Sequence, residues 1–117
     1  MVADNVEKCY TRVMPRKSPT FDETAYRRLV RALAAESSPR RTEKLLAEIL
    51  TPAERSDLAL RWKLLQRLVE GASHRQISRE LGISPCKITR GSRILKEKDS
   101  VCREILKSEE ERRKNEE

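Results

Sequence analysis

The feature that most constrains this sequence is a pair of short segments separated by a turn, "SHRQISRELGISPCKITRGSRILK", from residue 73 to residue 96. Ser73 and Ser84 favour helix N-caps, and Pro85 suits the first position of a helix. Gly82 suits the end of the first segment, because glycine adopts the left-handed C-cap conformation without steric strain. The pattern therefore predicts two helices joined by a tight turn, the helix-turn-helix arrangement.

The apolar residues of this motif have the spacing needed to hold its two helices together. They are Ile77, Leu81, Ile83 and Ile88. Across the whole chain of 117 residues, only 3% of the residues are aromatic and glycine occurs three times. Leu, Ala, Glu, Arg and Lys dominate as they do in helical proteins, so the composition predicts an all-α chain with one small domain.

Further helices are predicted from repeated N-terminal patterns. Thr20 with Glu23, Thr51 with Glu54 and Ser73 with Gln76 each have capping-box spacing, and Ser38 precedes a proline suited to the first helical turn. The helix that begins after Thr51 should run to about Glu70 and end at Gly71. Its apolar face comprises Leu58, Trp62, Leu65 and Val69, widened by Leu64 and Leu68. A face this broad predicts a core shared between two chains.

The two ends of the chain read differently from its middle. Residues 1–19 carry two prolines and no sustained periodicity, which predicts a flexible basic arm through Arg12, Arg16 and Lys17. A helical domain should cover residues 20–107, with the helix-turn-helix at residues 73–97. A last helix should turn Val101, Ile105 and Leu106 inward, and residues 108–117 should form a charged, solvated or fraying tail.

Positive charge is concentrated on the predicted helix-turn-helix. The whole chain has 26 Lys and Arg against 19 Asp and Glu, a formal charge of +7. Between residues 73 and 98, seven cations face only Glu80 and Glu97, an excess of five. Because phosphate neutralisation provides much of the affinity for duplex DNA, this coincidence of charge and motif predicts DNA binding.

Catalysis and metal binding find no support in the sequence. The single histidine, His74, lies in a predicted first helical turn, without a nucleophile or carboxylate cluster nearby in sequence. Cys9, Cys86 and Cys102 have no C-x-x-C spacing, which disfavours a zinc site or a disulfide framework. We therefore expect neither an enzyme nor a metal site. The absence of an apolar membrane-length run predicts a cytoplasmic protein.

Two stretches carry a resemblance to a known family. "LTPAERSDLALRWKLLQRLVEG" and "SHRQISRELGISPCKITRGSRILK" resemble the bacterial tryptophan repressor family, most specifically in "LTPAER", Arg61 and "ITRGS" with its following lysine. The resemblance implies about six helices in an interlocked homodimer with a helix-turn-helix head at each end. It also implies repression through double-stranded operator DNA, with L-tryptophan as corepressor and no other cofactor.

The resemblance assigns a ligand-binding set within the chain. Arg61 and Arg90 would flank the indole ring, Arg90 and Thr51 would meet the carboxylate, and the backbone carbonyls preceding Thr51 would receive the ammonium group. Gly91 would leave room for the ring, with close helix packing as the alternative explanation of that glycine, and Ile94 replaces a small serine near the amino end. The set is Glu48, Leu50, Thr51, Arg61, Arg90, Gly91 and Ile94.

A DNA-binding set follows from the resemblance and the charge pattern. Arg75 matches a base-contacting arginine able to reach guanine O6 and N7, and Lys96 matches a phosphate-contacting lysine. Cys86, Lys87 and Thr89 occupy the front of the recognition helix. The set is Arg75, Ser78, Arg79, Pro85, Cys86, Lys87, Thr89 and Lys96. Ser78, Pro85 and Lys87 depart from the family pattern, which predicts a different operator surface.

Two other functions fit parts of the sequence. A ligand-independent DNA-binding protein of the same superfamily, either a constitutive regulator or a transposase targeting module, would also have this motif, and Ile94 favours it. An RNA-binding or assembly protein could use a basic helical surface, but the low aromatic content is unlike that of single-strand readers, which stack bases on aromatic rings.

Overall fold

The computed structural model describes residues 20–116. Six helices occur in this range, and no strand lies among these residues, which confirms the all-α prediction. They are α1 (Glu23–Ala35), α2 (Pro39–Ile49), α3 (Pro52–Val69), α4 (His74–Leu81), α5 (Pro85–Lys96) and α6 (Val101–Glu116). The predicted arm at residues 1–19, with Cys9, lies outside the described residues.

The predicted caps of α3, α4 and α5 are present. At the start of α3, the Thr51 hydroxyl accepts a hydrogen bond from the Glu54 amide at 3.1 Å, and the Glu54 carboxylate accepts one from the Thr51 amide at 2.8 Å. The Ser73 and Ser84 hydroxyls accept hydrogen bonds from backbone amides one turn into α4 and α5. These reciprocal or single bonds satisfy amides that have no intrahelical partner, so local chemistry sets where each helix begins.

Two cap predictions are wrong in detail. Helix α1 is capped by Asp22, whose carboxylate accepts a hydrogen bond from the Ala25 amide at 3.0 Å, and not by Thr20. The Gln76 side chain does not complete a capping box with Ser73, and its amide nitrogen donates a hydrogen bond to Glu80 at 3.2 Å. In α1 a carboxylate thus replaces the predicted hydroxyl cap, whereas in α4 only the serine half of the predicted capping box forms.

The described residues divide into two compact units, the first ending at Thr42 and the second beginning at Glu43. In the described part of the first unit, α1 contains no buried residue. Phe21 and Tyr26 pack their rings together with centroids 5.4 Å apart, and Glu36 pairs with Arg41 at 2.8 Å. This pairing with Arg41, together with a backbone hydrogen bond from Ser38, lowers the pKa of Glu36.

The second unit contains the apolar core. Ile77 and Ile88 are completely buried, and Leu64 and Ile83 join them at no more than 9% exposure. Leu60, Leu68, Ala72 and Leu81 pack around this cluster. The core therefore lies where α3, α4 and α5 meet, and the four apolar positions predicted to hold the motif together are confirmed.

Helix α6 differs from its prediction. Leu106 is buried at 3% exposure, but Val101 is 64% exposed and Ile105 is 48% exposed, so the prediction that these two residues turn inward is wrong for the single chain. Val101 and Ile105 are one turn apart on a face different from that of Leu106. Helix α6 also continues to Glu116, and Arg113 pairs with Glu70 at 3.3 Å.

In residues 20–116, no helix is both long and apolar enough to cross a membrane.

Candidate functional site

The turn between α4 and α5 is fixed by backbone conformation and by one side chain. Gly82 has φ of 64°, in the left-handed region, and its amide donates a hydrogen bond to the Ser78 carbonyl at 2.9 Å. The Ser78 hydroxyl then donates to the Ile83 carbonyl, also at 2.9 Å. Glycine is needed here because other residues reach this conformation only with strain. The turn fixes the angle between the two helices.

The outer face of the motif carries most of the predicted DNA-binding set. Seven of the eight residues are exposed: Arg75, Arg79, Pro85, Cys86, Lys87, Thr89 and Lys96. Ser78 is half-buried, and its hydroxyl proton is used within the turn, which gives it a structural role that the sequence did not reveal. An exposed first turn of α5 with two cations nearby is suited to a major groove, where a recognition helix presents its N-terminal residues.

The C-terminal end of α5 is held by α6. The Arg103 guanidinium donates to the carbonyls of Leu95 and Lys98, each at 2.8 Å. Ser100 is buried, and its hydroxyl accepts a hydrogen bond from the Arg103 amide at 3.1 Å. A cation at the end of a helix stabilises its unpaired carbonyls. Arg103 therefore anchors the end of α5, a role that the sequence analysis did not predict.

The predicted ligand-binding residues all lie in the second unit, on α2, α3 and α5 and at the junction between α2 and α3. Arg61 and Arg90 are exposed on helices that pack against each other. Thr51 is the N-cap of α3, and Glu48 on α2 pairs with Lys44 at 3.3 Å. Leu50 and Ile94 are half-buried and Gly91 is buried.

Gly91 lies on the face of α5 that packs against Leu64 and Leu68 of α3. A Cβ atom at this position would lie 3.2 Å from Leu64 Cδ2 and 3.3 Å from Leu68 Cδ1, tighter than ordinary side-chain contacts. Close helix packing therefore accounts for this glycine without a ligand. A role of Gly91 in making room for a ring stays a prediction.

A network of charged side chains joins three helices beside the motif. Arg67 on α3 contacts Glu80 on α4 through two nitrogens, at 3.0 and 3.2 Å, and Glu70 through a third at 2.7 Å. Arg113 on α6 adds a bond to Glu70. The hydrogen bonds from Arg67 lower the pKa of both carboxylates. The sequence did not predict this network, because Arg67 and Glu80 are thirteen residues apart.

These features define a class: an all-α protein with a basic helix-turn-helix. The protein-family model described as Trp repressor protein matches residues 24–110. The Trp operon repressor homolog of Vibrio campbellii is 36% identical over 84 residues, covering 71% of this chain and 84% of that protein. The homolog from Chlamydia trachomatis serovar L2 is 37% identical over 68 residues, 57% of this chain and 72% of its own length.

The chain belongs to the Trp repressor family. The resemblance predicted from "LTPAER" and "ITRGS" is therefore confirmed. Members of this family are DNA-binding transcription regulators and not enzymes, so the chain is a repressor-like regulator.

Proposed function

We propose that this regulator uses L-tryptophan as a corepressor and binds operator DNA as a homodimer. The observation that supports it best is that Arg61 and Arg90 are exposed on two helices packed against each other. A planar guanidinium stacks well on an aromatic ring and binds a carboxylate through two parallel hydrogen bonds. Two arginines on adjacent helices suit a ligand that has both groups.

The junction of α2 and α3 supports recognition of the amino-acid end of the ligand. Thr51 accepts a hydrogen bond from the Glu54 amide, and its hydroxyl proton can be donated to a ligand carboxylate. The start of α3 adds the positive end of an 18-residue helix dipole. Helix α2 ends at Ile49, and the last carbonyls of a helix lack intrahelical partners, so those of Glu48 and Leu50 suit an ammonium group.

The proposed homodimer rests on exposed apolar side chains in the second unit. Leu58, Val101 and Ile105 are between 48% and 64% exposed. Val101 and Ile105 lie one turn apart on one face of α6, and exposed apolar side chains grouped in this way favour an interface between protein chains. We expect sedimentation equilibrium to show a dimer, and Ile105→Glu to shift the protein towards monomer, with Lys107→Glu as the exposed control on the same helix.

The experiment that tests the corepressor role is calorimetric titration of the protein with L-tryptophan. Arg90→Ala removes one cation from α5, and Arg93→Ala removes an equivalent exposed cation one turn away. Loss of hydrogen bonds to a charged carboxylate corresponds to about ten- to a hundredfold weaker binding. Arg90→Ala should show that loss and Arg93→Ala should bind normally. Equal binding by both variants, or no heat with the wild type, would overturn the proposal.

The packing of Gly91 favours a second candidate, a regulator that binds DNA without this ligand. Leu64 and Leu68 fill the space next to Gly91, and Ile94 adds a branched apolar side chain on the same helix. Titration of duplex DNA with and without L-tryptophan separates the two functions. A corepressor must tighten DNA binding as much as DNA tightens tryptophan binding, whereas the second candidate requires an unchanged Kd.

A further inference from the structure

We propose that Arg67 is a positioning residue that orients α4 for DNA binding through its hydrogen bonds to Glu80. The inference rests on the proposed binding of duplex DNA by α4 and α5. Arg67 would contact no phosphate itself, and would act by holding the helix that carries Arg75.

The Arg67 guanidinium binds two carboxylates, one on each side. Its Nε and one terminal nitrogen donate to the two carboxylate oxygens of Glu80, at 3.0 and 3.2 Å, and its other terminal nitrogen donates to Glu70 at 2.7 Å. Parallel bonds between a guanidinium and a carboxylate restrict direction as well as distance. The Arg67 side chain is only 20% exposed, so this geometry is held close to the protein.

Helix α4 needs such a restraint because it has eight residues and one completely buried side chain, Ile77. The other apolar contact of α4, the partly buried Leu81, lies one turn from Ile77 on the same face, and contacts along one face leave a short helix able to tilt about them. Glu80 lies three residues from Ile77, on the adjoining face, and also accepts a hydrogen bond from Gln76 at 3.2 Å. The ionic contact is a second fixed point, and together the two set the direction in which the neighbouring Arg75 projects.

The network extends this restraint to α6. Glu70 accepts hydrogen bonds from Arg67 at 2.7 Å and from Arg113 at 3.3 Å. Its side chain is 26% exposed, compared with 61% for Arg113. Arg67 is thus fixed on one side by Glu70 and reaches α4 on the other, which distinguishes it from the flexible single-bond ion pairs elsewhere on the described surface.

The salt dependence of DNA affinity distinguishes a positioning residue from a residue that contacts phosphate. Each phosphate contact contributes about 0.9 to the slope of log K against log salt concentration. Loss of a positioning residue lowers the fraction of binding-competent protein and weakens the observed Kd without changing that slope. Lys114 on α6, paired with Glu110 at 3.2 Å within one helix, is the matched control, because Lys114→Ala removes the same charge.

The experiment measures Kd for a duplex that the wild-type protein, in the presence of L-tryptophan, has selected from a randomised library. Temperatures well below the melting point keep all variants folded. Arg67→Ala should bind DNA about three- to thirtyfold more weakly than Lys114→Ala, with an unchanged salt slope. This is the range by which residues that contact neither ligand alter binding. Glu80→Ala should give a similar loss, and the double variant should lose little more than either single variant.

Two results would overturn the proposal: equal affinity of Arg67→Ala and Lys114→Ala, or a reduced salt slope in Arg67→Ala. If the wild type selects no duplex, the proposed function fails instead. Hydrogen exchange of the α4 amides, measured without DNA, then still tests the restraint, because Arg67→Ala should speed exchange in α4 more than in α3. Arg67→Lys keeps the charge but not the parallel bonds, and should recover only part of the affinity.

Discussion

Helices α1 and α4 have similar local signals and different outcomes. Both have a polar cap that accepts a hydrogen bond from an amide in the first turn, and both have apolar residues at helical spacing. Yet α1, with thirteen residues, has none buried, whereas α4, with eight, has Ile77 completely buried. An amphipathic pattern predicts that a helix has an apolar face, but burial depends on which surface covers that face.

The difference follows from contacts distant in sequence. Helix α4 packs against α3 and α5, so the core forms within one chain. The apolar residues of α1, including Tyr26 and Val30, are 54% and 46% exposed. In the proposed homodimer, a second chain is the surface available to such residues. In that proposal, α4 is stabilised by its own chain and α1 by the partner chain.

The largest expected effect is Ile77→Ala in α4. Removing this side chain leaves a cavity in the core, and should lower the free energy of unfolding by about 2–5 kcal/mol. Val30→Ala in α1 should change it by less than about 0.5 kcal/mol at low protein concentration, as for exposed positions generally. Urea denaturation measures both. Equal effects at low concentration would show that α1 is stabilised within the single chain.

Gly91→Val should have the next largest effect. Its added methyl groups would meet Leu64 and Leu68, and such overpacking lowers stability by about 1–3 kcal/mol. Gly91→Ala should be nearly neutral, because about 1 kcal/mol of helix propensity offsets the tight contacts with Leu64 and Leu68. Arg93→Val, exposed on the same helix, controls for the branched side chain. If thermal melts show the same loss of melting temperature for Gly91→Val and Arg93→Val, the packing of α5 against α3 is not tight at this position.

Ser78→Ala tests the turn of the motif. The Ile83 carbonyl would lose the hydroxyl donor now 2.9 Å away, and loss of such a bond costs about 1 kcal/mol. Ser108→Ala, exposed on α6, should change stability by less than half of that. Chemical denaturation measures the free energy of unfolding of the two variants. Similar small changes in both would show that the left-handed conformation of Gly82 alone fixes the turn.

The smallest expected effect appears in acid. Hydrogen bonds from Arg67 lower the pKa of Glu70 and Glu80 in the folded chain. A lowered folded pKa contributes stability that is present above the ordinary carboxyl range and is lost as the pH falls through the folded value. Arg67→Gln should therefore reduce stability at neutral pH and reduce the loss between about pH 5 and pH 3. Identical pH profiles for wild type and variant would contradict this assignment.

Local chemistry predicted most of the fold. Capping residues and glycines gave the limits of α3, α4 and α5, because the interactions that start and stop a helix lie within a few residues. The inward orientation of Ile105 was wrong because the choice between faces of α6 depends on α3. The Arg67 network was missed for the same reason, since no local pattern brings Glu80 to it.

The sequence was enough to predict which residues of the candidate site are exposed, but not the hydrogen bonds that hold the site in shape. The exposed face of α5 follows from the positions of Ile88 and Gly91 on its buried side, and both could be read from sequence. The hydrogen bond from Ser78 to the turn and the anchor provided by Arg103 required the folded backbone. Side chains that bond to distant carbonyls leave no periodic trace in a sequence.

The close crossing at Gly91 also limits which recognition helices this scaffold can accept. A transplanted α5 from another helix-turn-helix protein would seat against Leu64 and Leu68 only if a small residue faced them. New base preferences are therefore best engineered at the exposed positions of α5, with residue 91 kept as glycine or alanine. A larger residue there would need a compensating truncation in α3, which makes positions 64, 68 and 91 a unit for redesign.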